Sequence, residues 1–148
     1  MTSNPKLSSL FQDSHFKNYP LVIVPQEFQD NRGMIKNIAD GALGDVAFIT
    51  STKGAVRANH IHLLDWHLTY LISGKMIYQW KESSGNDPQD AIEISGGQLF
   101  YTPPNTPHKM VFLEESQFIA VSGLHRDKDS YESDTKRLSE DFFSNVEL

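Results

Sequence analysis

The sequence predicts an all-β protein, a sandwich or barrel of the jelly-roll type. Three observations carry this. Short apolar runs rich in β-branched and aromatic residues recur along most of the chain. Gly, Pro, Asn and Asp punctuate the gaps between them at regular spacing. No long helical period interrupts the pattern until the C-terminus.

The elements follow in order. Residues 1–20 are polar and mixed, with Leu7, Leu10, Phe11 and Phe16 as apolar anchors, and read as a tail or short helix. Leu21-Val22-Ile23-Val24, between Pro20 and Pro25, is a strand whose prolines suit an edge or a dimer-forming arm. Asp30-Asn31-Arg32-Gly33 is a turn signal before the strand Met34–Ile38, and Gly41 and Gly44 mark the turn before Asp45–Ser51. His67–Ser73 and Lys75–Lys81 flank Gly74 as a hairpin, and Glu82–Asp90 is a polar turn. Ala91–Ile94, Gln98–Tyr101, Lys109–Leu113 and Gln117–Ser122 complete a barrel spanning residues 21–125. From Asp127, Tyr131, Leu138, Phe142 and Val146 recur in a charged background, which predicts an amphipathic helix over 126–148 packed on the barrel.

Composition narrows the function. A chain of 148 residues is one domain by length, able to bury its own core. A formal charge of −6 without a Lys/Arg cluster argues against nucleic-acid binding. With no cysteine, disulfides and thiolate chemistry are excluded, and a metal must use N and O ligands. No stretch has the length of a membrane span, and the first residues lack an apolar signal-peptide region, so a cytoplasmic protein is the expectation.

The chemistry concentrates between Gly54 and Gly74. Residues i and i+2 of a strand share a face, so His60 and His62 point the same way. His67 follows after a turn-length gap, and His108 lies in a second Gly/Pro-punctuated stretch. Four imidazoles so placed suit Fe, Cu, Ni, Zn or Mn, one divalent ion per chain, the identity being unreadable from histidine alone. Their ligation should loosen at about pH 5–6, where imidazole protonates. His67, Thr69 and Leu71, then Met76, Tyr78 and Trp80, then Met110 and Phe112 would line the same interior with mostly apolar walls, as small-molecule pockets do.

These residues resemble the cupin superfamily. Gly54, His60, His62, His67 and Gly74 fit its first motif, G-x5-H-x-H-x3–4-E-x6-G, except that His67 replaces the Glu. Gly97, Pro103, Asn105 and His108 fit the second, G-x5-P-x-G-x2-H-x3-N, with Asn105 for Gly and Phe112 for Asn. The resemblance implies a double-stranded β-helix with the metal held by His60, His62, His67 and His108. Asp30-Asn31-Arg32-Gly33 and Arg57-Ala58-Asn59-His60-Ile61-His62 further resemble patterns of dTDP-dehydrorhamnose 3,5-epimerases and dTDP-hexose 3,4-ketoisomerases. That likeness implies proton abstraction beside a keto group. His60 or His62 would be the base and Tyr78 or Tyr101 the acid. Arg57 would bind phosphate, and Trp80, Met110 and Phe112 would wall the substrate. Ala58 departs from the pattern's Gly, and strict alternation points Arg57 away from His60.

The leading expectation is therefore a metal-binding enzyme, a sugar epimerase or isomerase. The alternatives are an Fe- or Cu-dependent dioxygenase and a binding module without turnover. The expected partners are a small-molecule substrate and a second copy in a homodimer, because a bare strand edge is readily covered.

Overall fold

The computed structural model describes residues 13–23, 27–81 and 90–147. A 3-10 turn at Asp13–Phe16 precedes β1 (Leu21–Val22), β2 (Glu27–Asp30), β3 (Gly33–Lys36), β4 (Asp45–Ser51), β5 (Val56–His62) and β6 (His67–Ser73). Then come β7 (Lys75–Trp80), β8 (Asp90–Ser95), β9 (Leu99–Thr102), β10 (His108–Phe112), β11 (Ser116–Ser122), α1 (Lys128–Asp134) and β12 (Thr135–Arg137). Two five-stranded antiparallel sheets, β1-β9-β6-β11-β4 and β12-β5-β10-β7-β8, form the jelly roll, and β2 and β3 make a separate hairpin. No described helix is long and apolar enough to cross a membrane.

Alternation along the strands builds two apolar layers. Leu71, Met76, Tyr78, Ile94, Phe100, Phe112 and Phe118 fill the space between the sheets. Leu68, Leu99, Tyr101 and Val121, from the opposite faces of β6, β9 and β11, pack with Phe16, Val22 and Trp66. Of the expected first strand, Val24 lies outside the described residues, as do the tail up to residue 12 and the polar turn at 82–89. β2 was not expected. It pairs Glu27 with Lys36 and Asp30 with Gly33, and Asp30 accepts hydrogen bonds from the Arg32 amide and guanidinium.

The C-terminal helix is shorter than its periodicity implies. α1 ends at Asp134, where Thr135 turns extended and its hydroxyl donates to the Tyr131 carbonyl. Thr135 and Arg137 then pair with His62 and His60 along the open edge of β5. A bare sheet edge offers backbone hydrogen bonds that outweigh weak helical periodicity. Beyond β12 the chain lies along the second sheet, with Phe143 buried and the Gln79 amide donating to the Ser144 carbonyl.

One irregularity positions the site. His108 faces His60, but Lys109 faces Ala58, so β5 carries one extra residue. Ala58 (φ 64) and Asn59 (φ 56) are both left-handed there. The bulge resets the alternation: Arg57 pairs with Met110 and so shares the face of His60, contrary to the strict-alternation reading. Its guanidinium donates to Ser51 Oγ at 2.6 Å and the Thr50 carbonyl at 2.8 Å, linking β5 to β4.

A left-handed alanine carries a steric cost that glycine avoids. Ala58→Gly should therefore raise stability by about 1 kcal/mol, read as a higher urea midpoint at unchanged slope. A lower midpoint would show that the backbone is not strained at this position.

Candidate functional site

Two strands bring three of the imidazoles together. β5 supplies His60 and His62, β10 supplies His108, and the β5–β10 pairing sets His108 opposite His60. Ring centroids of His60 lie 4.3 Å from His62 and 4.8 Å from His108. One ring nitrogen from each of these three residues lies within 4.8 Å of the others, and all three residues are buried.

Hydrogen bonding assigns two of the tautomers. His108 Nδ1 lies 2.8 Å from the Thr106 carbonyl, which only accepts, so Nδ1 carries the proton and Nε2 is bare. Thr135 spends its single hydroxyl proton on the Tyr131 carbonyl. It must therefore accept from His62 Nδ1 at 3.3 Å, which leaves His62 Nε2 bare as well. His62 Nε2 is also buried with no hydrogen-bond partner. A histidine whose far nitrogen donates to a fixed acceptor is pre-set as a metal ligand. The residues therefore fit a divalent ion held by His60, His62 and His108.

His67, expected as a fourth ligand, falls outside this trio. Its ring is 4.5 Å from that of His62, but Nε2 donates to Asp65 Oδ2 at 3.1 Å. Asp65 is itself clamped by the Gly123 and Leu124 amides, each at 2.9 Å. Burial opposes ionisation of Asp65, but the His67 hydrogen bond and charge and the Leu124 amide together hold it below the ordinary carboxylate range. A second carboxylate, Asp134, stands 3.7 Å from His62 Nδ1, too far for a hydrogen bond. It accepts instead from the Leu64 and Asp65 amides and so fixes the turn after β5.

The other expected site residues separate. Tyr78 is fully enclosed, its hydroxyl bonded to Thr102 Oγ1 at 2.7 Å, and burial pushes its pKa up. Tyr101 belongs to the apolar layer on the far face of the first sheet, away from the histidines, and burial raises it too. Tyr101 is therefore not placed to donate a proton in the site, whereas the Tyr78 ring lies 6.2 Å from that of His108 with its hydroxyl engaged by Thr102. Phe112 stacks on Phe118 with no exposed surface, so it is core rather than pocket wall. Met110 is half-buried beside the same interior layer. Trp80 sits opposite His108 in the β7–β10 register, stacked on Tyr78.

Sequence reasoning missed Tyr131. Its ring lies 5.5 Å from His62 and 6.4 Å from His60, with the Arg126 guanidinium 5.0 Å over it. It lines an open cleft of about 350 Å³ with Asp45, Ala47, Ile49, Arg126 and Lys128. Asp65 and Asp134 were likewise unmarked, because a carboxylate's partners depend on chain reversals that local spacing does not encode.

No family model and no curated protein matches the chain. Solved structures do. A mutant of the 3,4-ketoisomerase QdtA from Thermoanaerobacterium thermosaccharolyticum, in complex with TDP-4-keto-6-deoxyglucose, is 19% identical at TM-score 0.65, covering 84% of this chain and 91% of that one. The dTDP-4-dehydrorhamnose 3,5-epimerase from Sulfolobus tokodaii is 15% identical at TM-score 0.67, covering 97% and 86%. The capsular polysaccharide assembling protein CapF from Staphylococcus aureus is 21% identical at TM-score 0.59, covering 82% of this chain but 35% of CapF. These structures and this chain share the jelly-roll fold, and within it His60, His62 and His108 come together.

Burial first, and then neighbouring imidazoles, pull His60 down to about 2 and His62 to about 3. Burial likewise takes His108 to about 4. The trio is thus neutral well below the pH 5–6 at which free imidazoles protonate, and loosening of a bound metal there is no longer expected. The linkage falls on folding instead. Below an unfolded pKa of about 6.5 the unfolded chain binds protons that the folded site refuses. The metal-free protein should therefore keep full stability above about pH 6.5 and lose it on acidification, by about 2 kcal/mol per buried histidine at pH 5. Denaturant titrations at pH 7.5 and pH 5 check this; equal midpoints would mean that the rings are solvated.

Proposed function

We propose that this cupin is a metal-assisted isomerase or epimerase of an anionic keto-sugar. His60, His62 and His108 hold the ion, and His67 acts as the base. The observation that carries this reading is the pairing of a buried imidazole trio, two of whose rings present bare nitrogens, with an adjacent, carboxylate-backed histidine. The keto-sugar enzymes that share the fold support the substrate class. Magnitudes choose the base. Asp65 holds His67 at 3.1 Å, whereas Asp134 is 3.7 Å from His62, whose Nε2 is enclosed. With Nε2–H given to Asp65, His67 Nδ1 is the bare atom that takes the proton beside the substrate carbonyl. Asp65 then stabilises the imidazolium that forms. Tyr131, at the cleft, is the acid on the other side. When bound, the ion supplies Lewis-acid stabilisation of the developing oxyanion, and three neutral ligands leave its +2 charge intact. Arg126 lies near enough to act electrostatically on His62 and, with Lys128 at the cleft, suits an anionic substrate, whereas Arg137 is paired with Glu132 at 3.1 Å.

The dioxygenase and binding-module readings divide from this one by experiment. Incubated anaerobically in D2O with TDP-4-keto-6-deoxyglucose, the protein should form an isomer in which one hydrogen on the carbon beside the keto group is replaced by solvent deuterium and nothing else is gained or lost. Oxygen consumption, or retention of the sugar without product, would replace the isomerase reading. His62→Ala and His108→Ala should lose the bound metal by elemental analysis. His67→Gln should keep it while turnover falls about 10²–10⁴-fold.

The homodimer belongs to the same proposal. β4 pairs only with β11 among the described residues and exposes Val46 and Phe48 on a free edge. The β2–β3 hairpin exposes Phe28, Met34 and Ile35, and a lone hairpin is marginal in water. The hairpin of one copy on β4 of another would cover both surfaces. Sedimentation should give a dimer for the wild type and a folded monomer for Phe48→Asp; a wild-type monomer at micromolar concentration would exclude the pairing.

A further inference from the structure

Among the described residues, four buried side-chain atoms lack a hydrogen-bond partner: Asn59 Oδ1, Gln79 Oε1, His62 Nε2 and Trp80 Nε1. The first two belong to amides whose nitrogens bond the C-terminal segment outside the second sheet, at Leu138, Ser139 and Ser144. The other two lie on the strand faces that look into the barrel. His62 and Trp80 flank His108, one by ring contact and one by strand register. A buried indole N–H normally finds an acceptor, and this one is 5% exposed as a residue with none. The neighbouring interior groups are already committed, Tyr78 to Thr102 and His108 Nδ1 to Thr106.

The two orphans are chemically complementary. His62 Nε2 offers a lone pair and calls for an electrophile. Trp80 Nε1 can only donate and calls for an oxygen or an anion. One ligand set answers both: a metal ion on the imidazoles with an anionic or carbonyl donor bound to it. We propose that Trp80 is the donor that receives that exogenous atom, its indole N–H hydrogen-bonding the oxyanion formed from the substrate carbonyl. This rests on the metal-assisted reading above and adds to it a catalytic residue that cannot itself lose a proton. A fixed neutral donor facing developing charge in a dry interior needs little reorganisation during the reaction. The stack of Trp80 on Tyr78, at 5.5 Å and 21° between planes, holds the ring in place.

The test uses Trp80→Phe, which keeps an aromatic ring on Tyr78 and removes the N–H. Azide, titrated into the Co(II)-loaded full chain and followed by the visible d–d bands, should bind about 10-fold more weakly to the variant at unchanged Co(II) stoichiometry. In turnover of TDP-4-keto-6-deoxyglucose, kcat should fall about 10²-fold with KM nearly constant. The chain has two tryptophans, so Trp66 supplies an internal control. Of the two indole N–H signals in the NMR spectrum of the Zn(II) form, only that of Trp80 should move downfield with azide. Equal azide affinity in wild type and variant, with normal Co(II) bands, would overturn the role of Trp80 alone. So would an upfield Trp80 signal insensitive to azide, which would assign its proton to the face of Tyr19, whose ring plane is near-perpendicular to the indole with centroids 6.2 Å apart. Absence of Co(II) bands in the wild type would instead overturn the metal reading and this inference with it. Loss of the sugar reaction with azide binding intact would remove only the substrate assignment.

Discussion

Packing three imidazoles ring against ring in an apolar interior is possible only while all three are neutral. That constraint organises the molecule. Each neutral ring carries one N–H that calls for an acceptor, and for His108 and His62 the acceptors come from elements far apart in the chain. Thr106 serves His108 from the loop before β10. Thr135 serves His62 from β12, which must lie along β5 to reach it. β10 must run between β5 and β7 for His108 to meet His60 at all. The unusual C-terminal sequence of a short helix followed by a strand thus serves the site as well as the sheet edge.

Two carboxylates extend the constraint outward. Asp134 takes the Leu64 and Asp65 amides on its side chain and the Leu63 amide on its carbonyl, tying the end of α1 to the turn after His62. Asp65, within that turn, takes Gly123 and Leu124 at the end of β11, and then His67. The path from α1 to the fourth histidine therefore runs through backbone amides, which do not titrate and have few alternative geometries. Gly123 is required at this junction for a separate reason: a Cβ there would meet the Trp66 ring at 2.3 Å.

The fold and the heart of the site were legible for one reason. Period-two patterning and the His-x-His spacing are local, and local spacing survives folding. The i, i+2 rule placed His60 and His62 on one face, and β7 delivered Met76, Tyr78 and Trp80 inward as alternation requires. Three kinds of information were not local. The bulge at Ala58–Asn59 reversed the expected direction of Arg57, and no glycine announced it. The stripe of Tyr131, Leu138 and Phe142 mimicked a helix, whereas the outcome was decided by an unpaired β5 edge invisible in that segment. Tyr101 was a candidate acid by family resemblance, but its parity on β9 opposes that of Phe100 and Thr102 and sends it to the far layer.

His67 shows how a single replacement redistributes charge. The cupin motif has a carboxylate at this position, where a metal-bound Glu would cancel part of the ion's charge. In this chain the imidazole turns to Asp65, so the carboxylate stands one residue removed from the trio. A negative charge kept one shell out cannot reduce the ion's charge by direct bonding, yet at hydrogen-bond distance it can still support a proton on His67. In the proposed reading, Lewis acidity would belong to an ion held by His60, His62 and His108 and basicity to His67, whose ring is 4.5 Å from that of His62. A single Glu ligand would set the two against each other, because the electron pair that binds the metal is the one a base must keep.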